Sequence, residues 1–225
     1  MAPRPLRLTR RSTFTLLAAS VAGCGNSPFA SIARRLGDEL DGPAPLAIDR
    51  TQIDQSPYAR LMVRVGDGGA SVLVLADTGT AHRMWVASDR ANVQTRGPRV
   101  VATAGLRRNR RHTSFPEPDP LFAAGTTVAD GSTTMRRIGL TGTGFYALTV
   151  RGEVRVVGEE NVTIAERTYT CVRVEETCTA PEAGYNFKNV FWMDPERPIA
   201  WRSRQWVHPD LARFEISMLK PPAVT

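Results

Sequence analysis

The sequence predicts a mainly β protein: one antiparallel, strongly curved sheet, arranged as a half-barrel or a sandwich, with a short N-terminal helix. Two observations predict this class. Short apolar segments recur from residue 60 to residue 219, and turn sequences such as "GDGG" separate them at close spacing, which is typical of consecutive antiparallel strands. Apolar residues make up 42% of the 225-residue chain and charged residues 23%, which is typical of a globular domain and argues against a disordered chain.

The predicted strands follow the alternation of apolar side chains, as in "RLMVRV", where Leu61, Val63 and Val65 share one face. Between residues 106 and 132 this pattern stops, and we expect a long connection with a short helix in "DPLFAAG". Long connections inside compact domains are often functional or mobile. The strands are expected at 60–65, 71–76, 83–88, 92–96, 99–105, 133–140, 145–158, 161–176, 185–194, 199–207 and 213–219.

The N-terminus has the features of a secretory signal. Residues 1–12 are positively charged, and the apolar run at 14–22 is too short to span a bilayer, which takes about 20 residues. The run ends in Val21-Ala22-Gly23-Cys24, which resembles the bacterial lipobox, so Cys24 is predicted to become the lipidated N-terminus. The alternative is a buried cysteine behind an ordinary signal. Gly25, in place of aspartate, favours onward sorting to the outer membrane.

These features divide the chain into three predicted parts. Residues 1–23 form a lipoprotein signal peptide, residues 24–57 a lipid-anchored segment, and residues 58–225 a single β-rich domain. The middle segment contains "NSPFASIARRLGDELDG", whose apolar residues follow helical spacing and predict a short amphipathic helix.

The basic charge of the chain does not indicate a nucleic-acid partner. The formal net charge is +7, from 29 basic and 22 acidic residues. Four of the arginines lie in the first 23 residues, so removing the signal leaves 25 basic against 22 acidic residues. A nucleic-acid-binding domain usually shows a clustered basic face and a recognisable module, and neither is evident.

The remaining cysteines, Cys171 and Cys178, form an even pair once Cys24 is assigned to the lipid. Cys171 is predicted within a strand and Cys178 after its end, so a disulfide would staple the strand to its exit loop in an oxidising compartment. Two buried free thiols are the alternative. No metal or cofactor is predicted, because the three histidines lack the spacing of zinc ligands.

Motifs of common catalytic sites are missing from the sequence, which has no G-x-S-x-G, H-E-x-x-H or P-loop. Glu159-Glu160 and Glu175-Glu176 are adjacent pairs, but neighbours on a strand point to opposite faces and do not form a two-carboxylate site. We therefore predict a non-enzymatic protein without catalytic residues.

Two groups of residues are candidates for ligand binding. The first is the arginine cluster, defined as Arg107, Arg108, Arg110 and Arg111, which suits an anionic polysaccharide, phospholipid headgroups or an acidic partner. A solvated loop is its alternative. The second is the C-terminal group of aromatic residues, most of which are expected in the core. Trp201 and Trp206 are five positions apart, so they face opposite sides of a regular strand and one of them can be exposed to ligand.

The chain resembles a known family in several stretches. These are "YARLMVRVGDG", "LVLA", "WVASDRANVQTRGPRVVATAGLRRN", "DPL", "YNFKNVFWMDPERPIAWRSRQWVHPDL" and "KPP". They are similar to the YjbF family, the lipoproteins of group 4 capsule and related exopolysaccharide secretion operons. The similarity runs from about Tyr58 to Pro222. "RRNRR" is the one departure from it.

The resemblance implies a non-catalytic lipoprotein of the outer membrane that faces the periplasm and assists capsule or exopolysaccharide export. The membrane would be contacted through the lipid anchor. Further partners would be the polysaccharide, an outer-membrane export barrel or periplasmic capsule proteins. The resemblance also implies a curved antiparallel sheet, and it transfers a defined role to Cys24 alone. Two other functions remain open at this point: a half-barrel that carries lipid or lipoproteins, and an enzyme that modifies polysaccharide.

Overall fold

The computed structural model describes residues 48–78 and 82–223. The predicted signal peptide, Cys24 and the predicted helix at 26–42 lie outside these residues. Within them the chain forms one antiparallel sheet of twelve strands and one short helix near the N-terminal end, which confirms the predicted fold class. No helix in the described ranges is both long enough and apolar enough to cross a membrane.

Most connections between the elements are short, but residues 115–132 form a long connection between two consecutive strands. Three 3₁₀ turns, Pro120–Phe122, Gly125–Thr127 and Pro181–Ala183, interrupt the strands. The helix and strands are α1 (Arg50–Gln55), β1 (Arg60–Val65), β2 (Ala70–Thr78), β3 (Arg83–Val86), β4 (Asn92–Arg96), β5 (Arg99–Ala104), β6 (Arg110–Ser114), β7 (Thr133–Leu140), β8 (Leu148–Ile164), β9 (Arg167–Ala180), β10 (Tyr185–Met193), β11 (Ala200–Gln205) and β12 (Phe214–Lys220).

The sheet curls until its two edge strands meet. Its order is β5-β4-β3-β2-β1-β12-β11-β10-β9-β8-β7-β6. The two edge strands, β5 and β6, are therefore consecutive in the chain. Side chains join these edges: Thr113 Oγ1 donates to the Val101 carbonyl at 2.8 Å, and Thr103 Oγ1 accepts from the Arg110 amide at 3.0 Å. The result is a nearly closed barrel, more complete than the expected half-barrel, whose seam is held by side chains.

The strand β6 corrects one prediction. The segment 106–132 was expected to lack strands, yet Arg110–Ser114 forms the edge that closes the sheet. Burial does not alternate along this strand, and its one buried residue is Arg110, at 4% exposure. A buried arginine gives no apolar alternation, so the strand was not visible in the sequence pattern.

The long hairpin of β8 and β9 corrects a second prediction. A break was expected near residue 159, but β8 continues to Ile164 and the turn lies at Ala165-Glu166. Both turn residues have positive φ, 45° and 66°, as in the two-residue turns that match the twist of a hairpin. Because neither residue is a glycine or an asparagine, the usual sequence signature of such a turn is missing.

The apolar side chains form three buried clusters, centred on Trp85 and Phe214, on Phe191 and Met193, and on Ile138 and Leu148. The helix α1 joins the first cluster through Ile53, which is 2% exposed. Asp49 caps its start by accepting from the Thr51 amide at 2.8 Å. This docking holds the polar face of α1 beside the end of β12.

Candidate functional site

A groove of about 730 Å³ lies where α1, the start of β9, the segment after β10 and the end of β12 come together. We call it the basic groove. Four cationic and two aromatic residues define it: Arg50, Arg167, Arg197, Lys220, Tyr169 and Trp201.

One side of the basic groove brings three cations to a single residue, Asp54. Arg50 Nη2 donates to Asp54 Oδ1 at 2.6 Å, and Arg167 Nη2 lies 3.5 Å from Oδ2. Lys220 Nζ donates to the backbone carbonyls of Asp54 at 2.9 Å and Ser56 at 2.5 Å. The hydrogen bond from Arg50 lowers the pKa of Asp54, so this carboxylate stays ionised and still faces an excess of positive charge.

The other side is built on Asp194, directly after β10. Asp194 Oδ2 accepts from Arg197 Nη2 at 2.7 Å and from Trp201 Nε1 at 2.9 Å. Burial alone would raise the pKa of Asp194, but the hydrogen bonds from Arg197, two backbone amides and Trp201 lower it. These bonds fix the Trp201 ring, which stacks on Tyr169 with centroids 3.6 Å apart and planes 18° apart. Tyr169 is half-buried and presents part of its surface to the groove.

The basic groove therefore carries four cations against two carboxylates, which favours an anionic ligand. Its two carboxylates lie on opposite sides and are each engaged with arginine. In the part of the chain that the structure describes, no group of three or more histidine, cysteine or acidic residues is placed to hold a metal ion.

The barrel interior holds a second charged cluster around Glu176, which is fully buried. Its carboxylate accepts from both Arg99 and Arg136 and from two neutral donors, Thr134 Oγ1 at 2.6 Å and Asn189 Nδ2 at 2.8 Å. Burial alone would raise the pKa of Glu176, but the guanidinium charges of Arg136 and Arg99 outweigh it and hold that pKa well below its ordinary range. Loss of one partner from such a buried network would leave an uncompensated charge inside the barrel.

The predicted arginine cluster is not brought together as one face. Arg107 and Arg108 hydrogen-bond to Asp210, Arg111 lies over the Tyr146 ring, and Arg110 points into the interior. Burial, and then the charges of Arg136 and Arg99, lower the pKa of Arg110 to about 9. Arg110 is therefore not accessible for the ligand binding that was predicted for the cluster.

Trp201 lies in β11 and Trp206 directly after it, and the two side chains pack into different clusters. Trp201 packs into the first cluster, whereas Trp206 is half-buried and stacks on Phe187 with centroids 4.2 Å apart. Of the remaining aromatic residues in this region, Phe187, Phe191 and Trp192 are buried, which confirms that most of them fill the core. Trp201 is the member that contributes to the basic groove.

The predicted disulfide between Cys171 and Cys178 is wrong. Both residues lie inside one continuous strand, β9, and both are buried free thiols. Residues seven apart on a strand are about 23 Å apart and point to opposite faces. Cys171 accordingly joins the first apolar cluster and Cys178 the third. The expectation that Cys178 follows the end of the strand caused the error.

Most residues of both charged sites were missed from sequence. The cations of the basic groove are isolated residues in separate elements, so no local pattern marks them. The interior cluster had a weak signal: Arg136 and Glu176 each occupy an inward position of a strand whose other inward residues are largely apolar. A charge at such a position indicates a buried partner, but alternation does not identify that partner.

Comparison with known proteins shows three similarities. The family model described as "Group 4 capsule polysaccharide lipoprotein gfcB, YjbF" matches residues 33–219. The uncharacterized lipoprotein GfcB of Escherichia coli K12 is 26% identical over 219 residues, which cover 97% of this chain and 99% of that protein. The crystal structure of the hypothetical lipoprotein YmcC from Escherichia coli K12 superposes with a TM-score of 0.72 at 24% identity, covering 90% of this chain and all of that one.

Proposed function

Because the chain belongs to the YjbF family of group 4 capsule polysaccharide lipoproteins, we propose that it is a non-catalytic lipoprotein assisting capsule or exopolysaccharide export. It acts at the periplasmic side of the outer membrane, where the lipid on Cys24 tethers it. Its partners are the polysaccharide, an outer-membrane export barrel and periplasmic capsule proteins.

The observation that carries this proposal is the contrast between the two charged sites. The interior cluster is closed, since Glu176 is fully buried and engaged by two arginines. The basic groove is open and carries excess positive charge. In such a domain the buried charges are paired and the unbalanced positive charges lie at an open surface. This arrangement is suited to binding an anionic ligand. A general acid or base works best with a pKa near the working pH, whereas the arginine contacts lower the pKa of Asp54, Asp194 and Glu176.

The same contrast weighs against the two other functions. A carrier of acyl chains needs a continuous apolar concavity, whereas the barrel interior around Glu176 is filled by Arg99, Arg136 and Asp119. An enzyme that modifies polysaccharide needs convergent titratable groups in a cleft. The carboxylates of the basic groove, Asp54 and Asp194, are each paired with arginine.

The anchor can be tested by fractionation of cells that carry Cys24→Ala. We expect the wild-type protein in the outer-membrane fraction and the variant in the soluble periplasmic fraction, because several acyl chains give a far stronger anchor than one. Cys171→Ala is the matched control, since it removes a cysteine and leaves the anchor. A Cys24→Ala protein that stays in the outer membrane would contradict the proposed tether.

The role in export can be tested in a strain that lacks the gene. We expect surface polysaccharide to fall in this strain, to be restored by the wild-type gene and to stay low with Cys24→Ala. Normal surface polysaccharide in the deletion strain would overturn the proposed function.

A further inference from the structure

We propose that the basic groove binds an acidic segment of a polysaccharide chain, with sugar carboxylates at its arginines and a sugar ring against Tyr169. This inference rests on the proposed function, because it names the ligand class and the site through which that function would be carried out.

The arginines of the basic groove can meet a ligand without breaking the fold. Arg167 is 55% exposed and lies 3.5 Å from Asp54 Oδ2, a long contact for an ion pair. Arg197 is 40% exposed and shares Asp194 with Trp201. A guanidinium group holds a carboxylate through two parallel hydrogen bonds, which a lysine ammonium does not offer. Three arginines on one concave surface therefore suit carboxylate groups that are spaced along a chain.

The stacked rings of Tyr169 and Trp201 give the basic groove a fixed apolar surface. Tyr169 is half-buried and is backed by Trp201, which is 5% exposed and held by Asp194. The apolar C–H face of a pyranose ring packs against such a surface. Because the Tyr169 ring is already immobilised, a ligand loses little side-chain entropy on binding.

The cationic surface continues beyond the basic groove. A smaller cavity of about 220 Å³ shares Arg197 and the segment Pro221–Ala223 with it and adds Arg83. Together the two cavities extend the path past Arg197, which suits a chain of sugars. Both are concave, whereas a planar membrane surface would meet the outermost side chains first. The shape therefore favours a sugar chain over a lipid headgroup at this site.

The binding can be tested with the full-length lipidated protein in neutral detergent, by isothermal titration calorimetry at pH 7. The probe is a hexamer of galacturonic acid, and its fully methyl-esterified form is the matched ligand without charge. We expect the acidic hexamer to bind, the ester to bind at least about tenfold more weakly, and added salt to weaken binding of the acid.

Three variants with the same charge change locate the site. Arg167→Glu reverses an exposed charge of the basic groove and is expected to weaken binding about tenfold. Arg213→Glu is the control, since it precedes β12 and so lies about 23 Å along that strand from Lys220. Arg107→Glu tests the arginine cluster that the sequence singled out. Circular dichroism melting of each variant checks that it is folded.

Several results would overturn the proposal. These are failure of the acidic hexamer to bind, equal binding of the ester, or a loss for Arg213→Glu or Arg107→Glu as large as for Arg167→Glu. The lipid alternative is tested with dihexanoyl-phosphatidylglycerol. If this short-chain lipid binds more tightly than the hexamer and depends on Arg167, the groove recognises a headgroup and the glycan proposal fails.

Complementation separates this inference from the proposed function. If the deletion strain has normal surface polysaccharide, the proposed function fails. If the strain loses polysaccharide and Arg167→Glu restores it fully, the proposed function stands and the role of the basic groove fails. We expect Arg167→Glu to restore it only in part and Arg213→Glu to restore it fully.

Discussion

Arg99 and Glu176, 77 residues apart in the sequence, form a two-bond ion pair inside the barrel, with Nη1–Oε2 at 2.9 Å and Nη2–Oε1 at 2.8 Å. Arg99 begins the edge strand β5, and Glu176 lies in β9 on the opposite half of the sheet order. Arg99 also pairs with Asp119 at 2.5 Å. One guanidinium group thus ties three distant parts of the chain, and we expect barrel closure to depend on it.

Replacing Glu176 by glutamine is expected to lower the free energy of unfolding by about 3–5 kcal/mol, because it leaves the buried Arg136 without a carboxylate and Arg99 with Asp119 alone. Urea denaturation followed by circular dichroism measures this loss. Glu175→Gln is the matched control: Glu175 is the neighbouring residue, but it faces outward and pairs with Arg173 and Lys188. It is expected to cost at most about 1 kcal/mol. Equal losses for the two variants would contradict a special role of the interior pair.

The same carboxylate predicts how stability depends on pH. The pKa of Glu176 is held well below its ordinary value of 4.5 in the folded protein. As the pH falls through this ordinary value, Glu176 takes up a proton in the unfolded chain but not in the folded protein. The free energy of unfolding therefore falls as the pH drops, by up to about 1.4 kcal/mol per pH unit for one proton. Urea denaturation at pH 3 to 6 should therefore show a steeper loss for the wild type than for Glu176→Gln. Parallel curves would exclude Glu176 as a source of acid sensitivity.

The two thiols of β9 are expected to be unreactive in the folded protein. Burial raises the pKa of Cys171 to about 11 and that of Cys178 to about 12, so little thiolate exists at neutral pH. Titration with a thiol-reactive dye at pH 8 should detect neither thiol in buffer and both in urea. A reducing agent should leave the unfolding curve unchanged. A shift of the unfolding curve on reduction would support a disulfide between Cys171 and Cys178 and contradict the structure.

Replacing Arg110 by lysine tests the barrel seam. Arg110 donates to the carbonyls of Val100 at 2.8 Å, Trp206 at 2.8 Å and Val207 at 3.3 Å, so it joins β5 to the segment after β11. A lysine ammonium cannot take the planar, spread arrangement of these donors, and we expect a loss of about 2 kcal/mol in unfolding free energy. Arg111→Lys, at the next and exposed position, should change it by less than about 0.5 kcal/mol. An unchanged unfolding free energy for Arg110→Lys would show that other contacts hold the seam.

Strands with regular apolar alternation were predictable to the residue. Arg60–Val65 and Thr133–Leu140 have the predicted bounds, because the period of two is a local property of the extended backbone. Strands without this alternation were not: β6 carries an arginine at its buried position, and β8 continues through a polar stretch to Val162 and Ile164. In both cases the partner strand, rather than the side-chain pattern, keeps the segment extended.

The sequence by itself determined the family and the fold class, since alternation and turn chemistry are written into neighbouring residues, and it predicted the anchor at Cys24. Only the tertiary structure decided which distant residues meet. Closure of the sheet places Arg99 against Glu176. The docking of α1 through Ile53 sets Arg50 beside Lys220 and opposite Arg197. Such contacts depend on how the strands curve and close, so side chains far apart in the chain become one site only in the folded barrel.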